Sequence, residues 1–159
     1  MAASATAIGY ATISGSDATI SVIVVSGSTC VFAISTVATQ VAAMAAGRAV
    51  HWSVRMLADD GFLGCCSLTD IDRWHKRAEV GFLLGRDAWG QGLGVEAVRA
   101  IVGYAGASGL RKLAARTHLG NRRSESLLGK LGFKQEGLLR GHIVRDSERR
   151  DCRLFGLLL

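Results

Sequence analysis

None of the four cysteines (Cys30, Cys65, Cys66, Cys152) belongs to a C-x-x-C pair, and no array of histidines accompanies them. Zinc and a disulfide framework are therefore excluded as organising features, no metal site is expected, and reduced thiols in a cytoplasmic protein are the expectation. The adjacent Cys65 and Cys66 sit in an apolar run, where packing rather than reactivity is expected. Aromatic residues are scarce, at 6%, and no basic stripe is interleaved with them, so the surface of a nucleic-acid binder is missing. The surplus of 19 basic over 13 acidic residues, formally +6, favours an anionic ligand only weakly.

Charge is also missing from the front of the chain. Before Arg48 the only charged residue is Asp17, and from 18 to 47 there is none. Three readings stay open for this stretch. The uncharged run exceeds the ~20 residues that a bilayer requires, yet Ser, Thr and Gly interrupt it and no Lys or Arg flanks its N-terminal side. A signal peptide would need a basic n-region, which is lacking, although residues 42–47 (Ala-Ala-Met-Ala-Ala-Gly) resemble a small-residue cleavage site. The preferred reading is a soluble segment with β-branched strands at Ala18–Val25 and Thr29–Ile34 and an Ala-rich helix at Thr36–Ala46. The abrupt loss of charge also fits a segment foreign to the domain after it, for instance an out-of-frame start. The expected division is an atypical uncharged segment over 1–47 and a single domain over 48–159, in a chain whose 49% apolar content is enough for a core.

From Val50 the pattern alternates, with Trp52, Val54 and Met56 on one strand face. Ala58-Asp59-Asp60-Gly61 is a hairpin signal. Phe62–Leu68 reads as a second strand, Asp70–Lys76 as a polar connection, and Ala78–Leu84 as a third strand, which together make an antiparallel meander. The period then changes. Apolar residues at 95, 97, 98, 101, 102 and 105 predict a helix over Val95–Ala105, ended by Gly106 and Gly109. Lys112–His118 reads as a strand, Asn121 opens a helix through Leu131 with Gly132 just past its end, and Gln135–Val144 and Arg149–Leu158 are closing strands. The unit from Ala78 to His118 is strand, glycine loop, helix, strand, which implies a parallel pair with a right-handed crossover in a mixed sheet.

Glycines at 90, 92 and 94, directly before a helix, let backbone N–H groups converge without Cβ obstruction. The helix N-terminus adds partial positive charge, so the place suits a phosphate or pyrophosphate; a tight strand-to-helix turn accounts for the loop equally well. No Gly-Lys-Ser/Thr accompanies it, and Gly90-x-Gly92-x-Gly94 is not G-x-G-x-x-G, so the Walker and dinucleotide readings are disfavoured.

Two motifs resemble a known family. Arg77-Ala-Glu-Val-Gly-Phe-Leu-Leu-Gly85 with Ala88-Trp-Gly-Gln-Gly-Leu-Gly-Val-Glu-Ala97 is similar to the core of GNAT acetyltransferases, nearest the Rim-type branch that acetylates N-termini of ribosomal proteins. Asn121-Arg-Arg-Ser124, followed by Leu131-Gly-Phe133 and Glu136-Gly137, resembles that branch's second signature. The resemblance covers roughly 110 residues.

It implies an α/β (α+β) fold: a mixed, mostly antiparallel central sheet with flanking helices and a central β-α-β pyrophosphate-binding unit. Acetyl-CoA is the implied co-substrate and an amine the acceptor, a protein N-terminus or a small molecule, with no covalent enzyme intermediate. By resemblance the CoA pyrophosphate lies on Gln91, Gly92, Leu93, Gly94 and Val95, and pantetheine fills a gap beside Phe82, Leu83 and Leu84, where a main-chain N–H near Leu83 faces the thioester carbonyl. Glu79 is the implied base, commonly acting through water, against an ordinary solvent-facing glutamate. Ser124 is the implied acid towards the leaving thiolate, against a helix first-turn residue. Asn121 is implied to hold the pantetheine arm, against a helix N-cap. His118 is kept in reserve among the histidines, and Leu128 stands where many members carry a tyrosine. Nothing in residues 1–47 matches the strand and two helices with which the family begins and which build part of the acceptor site. No nucleic acid or membrane partner is expected, and a homodimer stays open.

Overall fold

The computed structural model describes residues 10–15, 18–25, 43–56, 59–145 and 147–159. Eight strands make one mixed sheet in the order β1-β2-β3-β4-β5-β6-β8-β7. β1 (Tyr10–Gly15) and β2 (Ala18–Val25) are antiparallel, and β2 runs parallel to β3 (Val50–Met56). The strand Ala18–Val25 has the bounds that its β-branched run predicts. The strand expected at Thr29–Ile34 lies outside the described residues. So does most of the helix expected at Thr36–Ala46, of which residues 43–45 are helical. Since residues 18–25 pair within the sheet, the uncharged run does not continue as one helix, and among the described residues no helix is long and apolar enough to cross a membrane.

β3, β4 (Phe62–Asp72) and β5 (Arg77–Leu84) form the antiparallel meander. β4 runs further than expected, to Asp72, because a register shift between Thr69 and Asp72 carries the ladder past the polar residues. A short 3₁₀ turn (Arg86–Ala88) leads to α1 (Leu93–Ala107) and then β6 (Lys112–His118), parallel to β5. α2 (Arg122–Lys130), β7 (Lys134–Arg145) and β8 (Glu148–Leu158) follow, with β8 inserted between β6 and β7 and antiparallel to both.

The alternation seen in the sequence decides which face is packed. Trp52, Val54, Leu63, Leu68, Val80, Leu113 and Ala115 are buried together with Ala97, Val98 and Ile101 of α1 and Leu128 of α2. Each large aliphatic side chain so buried stabilises the fold by roughly 1.5–3 kcal/mol. The small residues Ala97, Ala100 and Ala105 let α1 lie close on the sheet, and Tyr104 meets Trp52 edge to face at 5.1 Å. The alternate residues of the central strands, Ser67 and Thr69 on β4, Glu79 and Gly81 on β5 and Arg116 on β6, lie off this core. This second, polar face carries ionisable groups at the middle of the sheet.

Candidate functional site

The parallel pair β5/β6 is incomplete. Its ladder holds only Arg77, Ala78 and Glu79 against Lys112, Leu113 and Ala114, although β5 continues to Leu84 along β4. A strand's successive residues turn their N–H and C=O groups to opposite sides. A Cβ at Gly64 on β4 would overlap the carbonyl oxygen of Leu83, so Leu83 faces β4; the Lys76 carbonyl, accepting from Arg111 and Lys112, faces β6. The even-numbered residues therefore face the opening, and beyond Val80 they are Phe82 and Leu84. The Leu83 amide thus turns towards β4, while Phe82 and Leu84 on either side of it present their amides to the gap. The Leu84 carbonyl accepts from the Trp89 indole N–H at 2.9 Å, which fastens the glycine loop to the end of β5.

Gly90 (φ +77°) and Gly92 (φ +83°) occupy the left-handed region that glycine adopts without steric cost, and a Cβ on either would meet nothing within 4 Å. Gly92 is the N-cap of α1 and offers no side chain, so the amides of Leu93, Gly94 and Val95 receive no side-chain cap. The helix begins at Leu93, two residues before its apolar period, because Gly94 contributes nothing to that period. A Cβ at Gly94 would press to 2.8 Å on Leu127 Cδ1 and 2.9 Å on Leu84 Cδ1, so this glycine lets α1 approach both α2 and β5. The Gln91 side chain donates to the Asp87 carbonyl at 2.5 Å, which leaves Gln91 to shape the loop.

Asn121 caps α2: its side chain accepts from the Ser124 N–H at 3.3 Å. That is the structural role set against the expected ligand contact, and it fixes Ser124 in the first turn, half-buried, beside the loop. Two residues that sequence reasoning gave no role join this edge. Arg123 stacks on the Trp89 ring at 4.5 Å and Arg86 approaches the same ring at 5.9 Å. Trp89 and Arg123 belong to the two separate motifs, and only folding reveals that they meet. His118, at the end of β6, is exposed, and Leu128 is fully buried in the core.

On the polar face, Glu79 is gripped by Arg116, whose Nε and Nη2 reach its two carboxylate oxygens at 2.7 Å each. The hydrogen bond to Glu79 raises the Arg116 guanidinium pKa above its ordinary value. Arg116 Nη1 is also 2.7 Å from His142 Nε2. Beside Glu79 opens a cleft of about 750 Å³, lined among others by Asp70, Trp74, Arg77, Lys112 and Ala114. Its charges are mostly paired: Asp72 with His75 and Arg77, Lys112 with Glu136. Trp74, 88% exposed, stands at its wall. Cys66 is buried in the meander, and burial, with Cys65 next to it, pushes its thiol up to about 12, so it is no nucleophile.

The open seam lies on the strand that leads into the uncapped helix start, where Arg123 and Arg86 meet the Trp89 ring. Residues 28–134 match the family model described as an acetyltransferase (GNAT) domain. A protein named N-acetyltransferase p20, from Bacillus licheniformis, is 35% identical over 113 residues, which are 70% of this chain and 64% of that protein. The ribosomal-protein-serine acetyltransferase of Escherichia coli (strain K12) is 30% identical over 102 residues, 64% of this chain and 57% of that protein. The solved structure of Mycobacterium smegmatis RimJ in complex with CoA-disulfide shares the fold, with a TM-score of 0.71 at 22% identity over 76% of this chain and 57% of that one. The match thus spans less than two thirds of the length of each of these three. This chain belongs to the GNAT acetyltransferase family, with relatives in its ribosomal-protein branch.

Proposed function

We propose that the chain transfers an acetyl group from acetyl-CoA to a primary amine, a protein N-terminus or a small molecule, by direct attack in a ternary complex. The observation that carries this reading is the end of the β5/β6 ladder at Glu79 and Ala114, on the strand whose loop leads into the uncapped amides at the start of α1. The pyrophosphate would sit on Gln91–Val95, with Arg123 and Arg86 adding charge. The pantetheine arm would pair with the main chain of Phe82 and Leu84, and Asn121 would steady it from α2. The thioester oxygen gains charge as the amine attacks, and a strand amide at the gap is placed to donate to it.

The amine forms the new C–N bond while the C–S bond breaks. The amine's proton leaves towards Glu79 through water, since both carboxylate oxygens already hold Arg116. The leaving thiolate takes its proton from water relayed through the Ser124 hydroxyl, which gains one proton as it gives one up, or Ser124 simply orients CoA. The cleft beside Glu79 would seat the acceptor, with the Trp74 face against its carbon chain. Asp70, with no ion pair to its carboxylate among the described residues, would draw the cationic amine. The domain is read as residues 48–159 in a cytoplasmic protein, as a monomer or a homodimer.

The test is release of free thiol from acetyl-CoA with a panel of N-terminal peptides and small amines, alongside CoA titration. Turnover with at least one amine is expected. Retained CoA affinity without turnover would favour a binding module, and loss of both would remove the reading.

A further inference from the structure

Arg116 on the polar face draws its partners from strands far apart in sequence. Glu79 stands on β5, Arg116 on β6 and His142 on β7, which is separated from β6 by β8. The three nevertheless meet through contacts of 2.7 Å, because of a local irregularity. The β7/β8 register slips between Leu139 and Ile143, and within this bulge Gly141 takes φ +54°. Its N–H donates to Asp151 Oδ1 at 2.8 Å and its carbonyl accepts from Arg149 Nη1 at 2.9 Å, which pins the bulge from both sides. A bulge re-aims a side chain that a regular ladder would carry elsewhere. Here the re-aimed side chain is His142.

A guanidinium has only donors, so in this contact His142 Nε2 accepts from Arg116 Nη1. The other ionisable groups facing Arg116 are Glu79 from β5, Asp70 from β4, and Cys152 from β8, where Asp151 also lies close to the thiol. His142 is the basic member of this ring.

We propose that Arg116 is a positioning residue for acetyl transfer: held by His142, it fixes the orientation of the Glu79 carboxylate at the point where β5 and β6 part. This rests on the role proposed for Glu79. A carboxylate bound at both oxygens by a fork of donors cannot rotate away, and each oxygen keeps one lone pair for a water or an amine.

The test uses the whole chain, acetyl-CoA and a short peptide with an N-terminal serine, with thiol release followed as a rate. CoA affinity serves as the check of folding. Arg116→Gln should lower kcat by at least about ten-fold with the KM for acetyl-CoA unchanged. Arg116→Lys, a point charge without the fork, should recover only part of the rate. His142→Gln, whose amide oxygen can accept the same hydrogen bond, should keep the wild-type rate. If Arg116→Gln loses CoA affinity in step with the rate, or keeps the wild-type rate, the positioning role is overturned. If Glu79→Gln turns over as fast as the wild type, the assignment of Glu79 falls and this role with it. If the wild type releases no thiol with this peptide or any amine tried, the transfer reading itself falls.

Discussion

The guanidinium carbon of Arg123 lies 4.5 Å from the centre of the Trp89 ring, so the first turn of α2 is laid against the glycine loop that opens α1. The stack holds a cation beside the glycine loop without neutralising it. Arg123→Gln should therefore weaken CoA binding by about ten-fold, corresponding to about 1.4 kcal/mol, and the difference should shrink as salt is added. Calorimetric titration at two ionic strengths measures both effects. Equal affinity for wild type and variant would remove Arg123 from the phosphate end.

Gly92 and Gly109 bracket α1 with almost the same backbone, φ +83° and +84°. Aspartate at either position carries a similar conformational cost, of order 1–2 kcal/mol. Only at Gly92 does the new carboxylate stand among the uncapped amides of the helix start. Gly92→Asp is expected to abolish CoA binding, whereas Gly109→Asp lowers stability alike and leaves affinity intact. Loss of affinity in both variants would mean that strain, not charge, is responsible.

Asn121 and Ser124 share one hydrogen bond but should separate in their effects. Removal of an N-cap side chain costs about 0.5–2 kcal/mol, so Asn121→Ala should melt earlier. Ser124→Ala keeps its backbone N–H on the cap and should melt as the wild type does, while kcat falls by about ten-fold or more if the hydroxyl delivers the proton. Melting curves and turnover, measured on both variants, check the division. A Ser124→Ala variant with full kcat would assign the hydroxyl no part in the chemistry.

Asp72 predicts an acid-side loss of stability. The backbone N–H of His75 and then its ring hold the Asp72 carboxyl down at about 2, from an ordinary 3.8. A carboxyl lowered in the folded state contributes stability above its unfolded value, and that contribution drains away as pH falls from about 4 to about 2. In Asp72→Asn this part of the acid limb should be missing. Urea unfolding at pH 6, 4 and 3 provides the comparison, and identical acid limbs would rule the carboxylate out.

Much of this architecture is legible in the sequence wherever a residue's own neighbours decide its fate. Lys112–His118 and Ala18–Val25 have the bounds expected from alternation and β-branching. The start of α1 is not legible to the residue, since Gly94 is helical but carries nothing that periodicity can register. Which β5 amides face the seam depends on the register with β4, and sequence alone does not contain that register. The Glu79–Arg116–His142 contact is less legible still, because it needs β8 inserted between β6 and β7 and a bulge in β7. The one sequence clue is an arginine in the middle of Lys112–His118, where a central strand would ordinarily be apolar on at least one face.

The early end of the β5/β6 ladder has a consequence for the life of the protein as well as for its chemistry. A sheet unzipped along its middle is at its least cohesive when the seam is vacant, and an occupant that binds only the native form adds its binding free energy to stability. The amides of Phe82 and Leu84 would then be among the first in β5 to exchange, and the count of intact molecules in a cell would rise and fall with the supply of whatever ligand fills the seam.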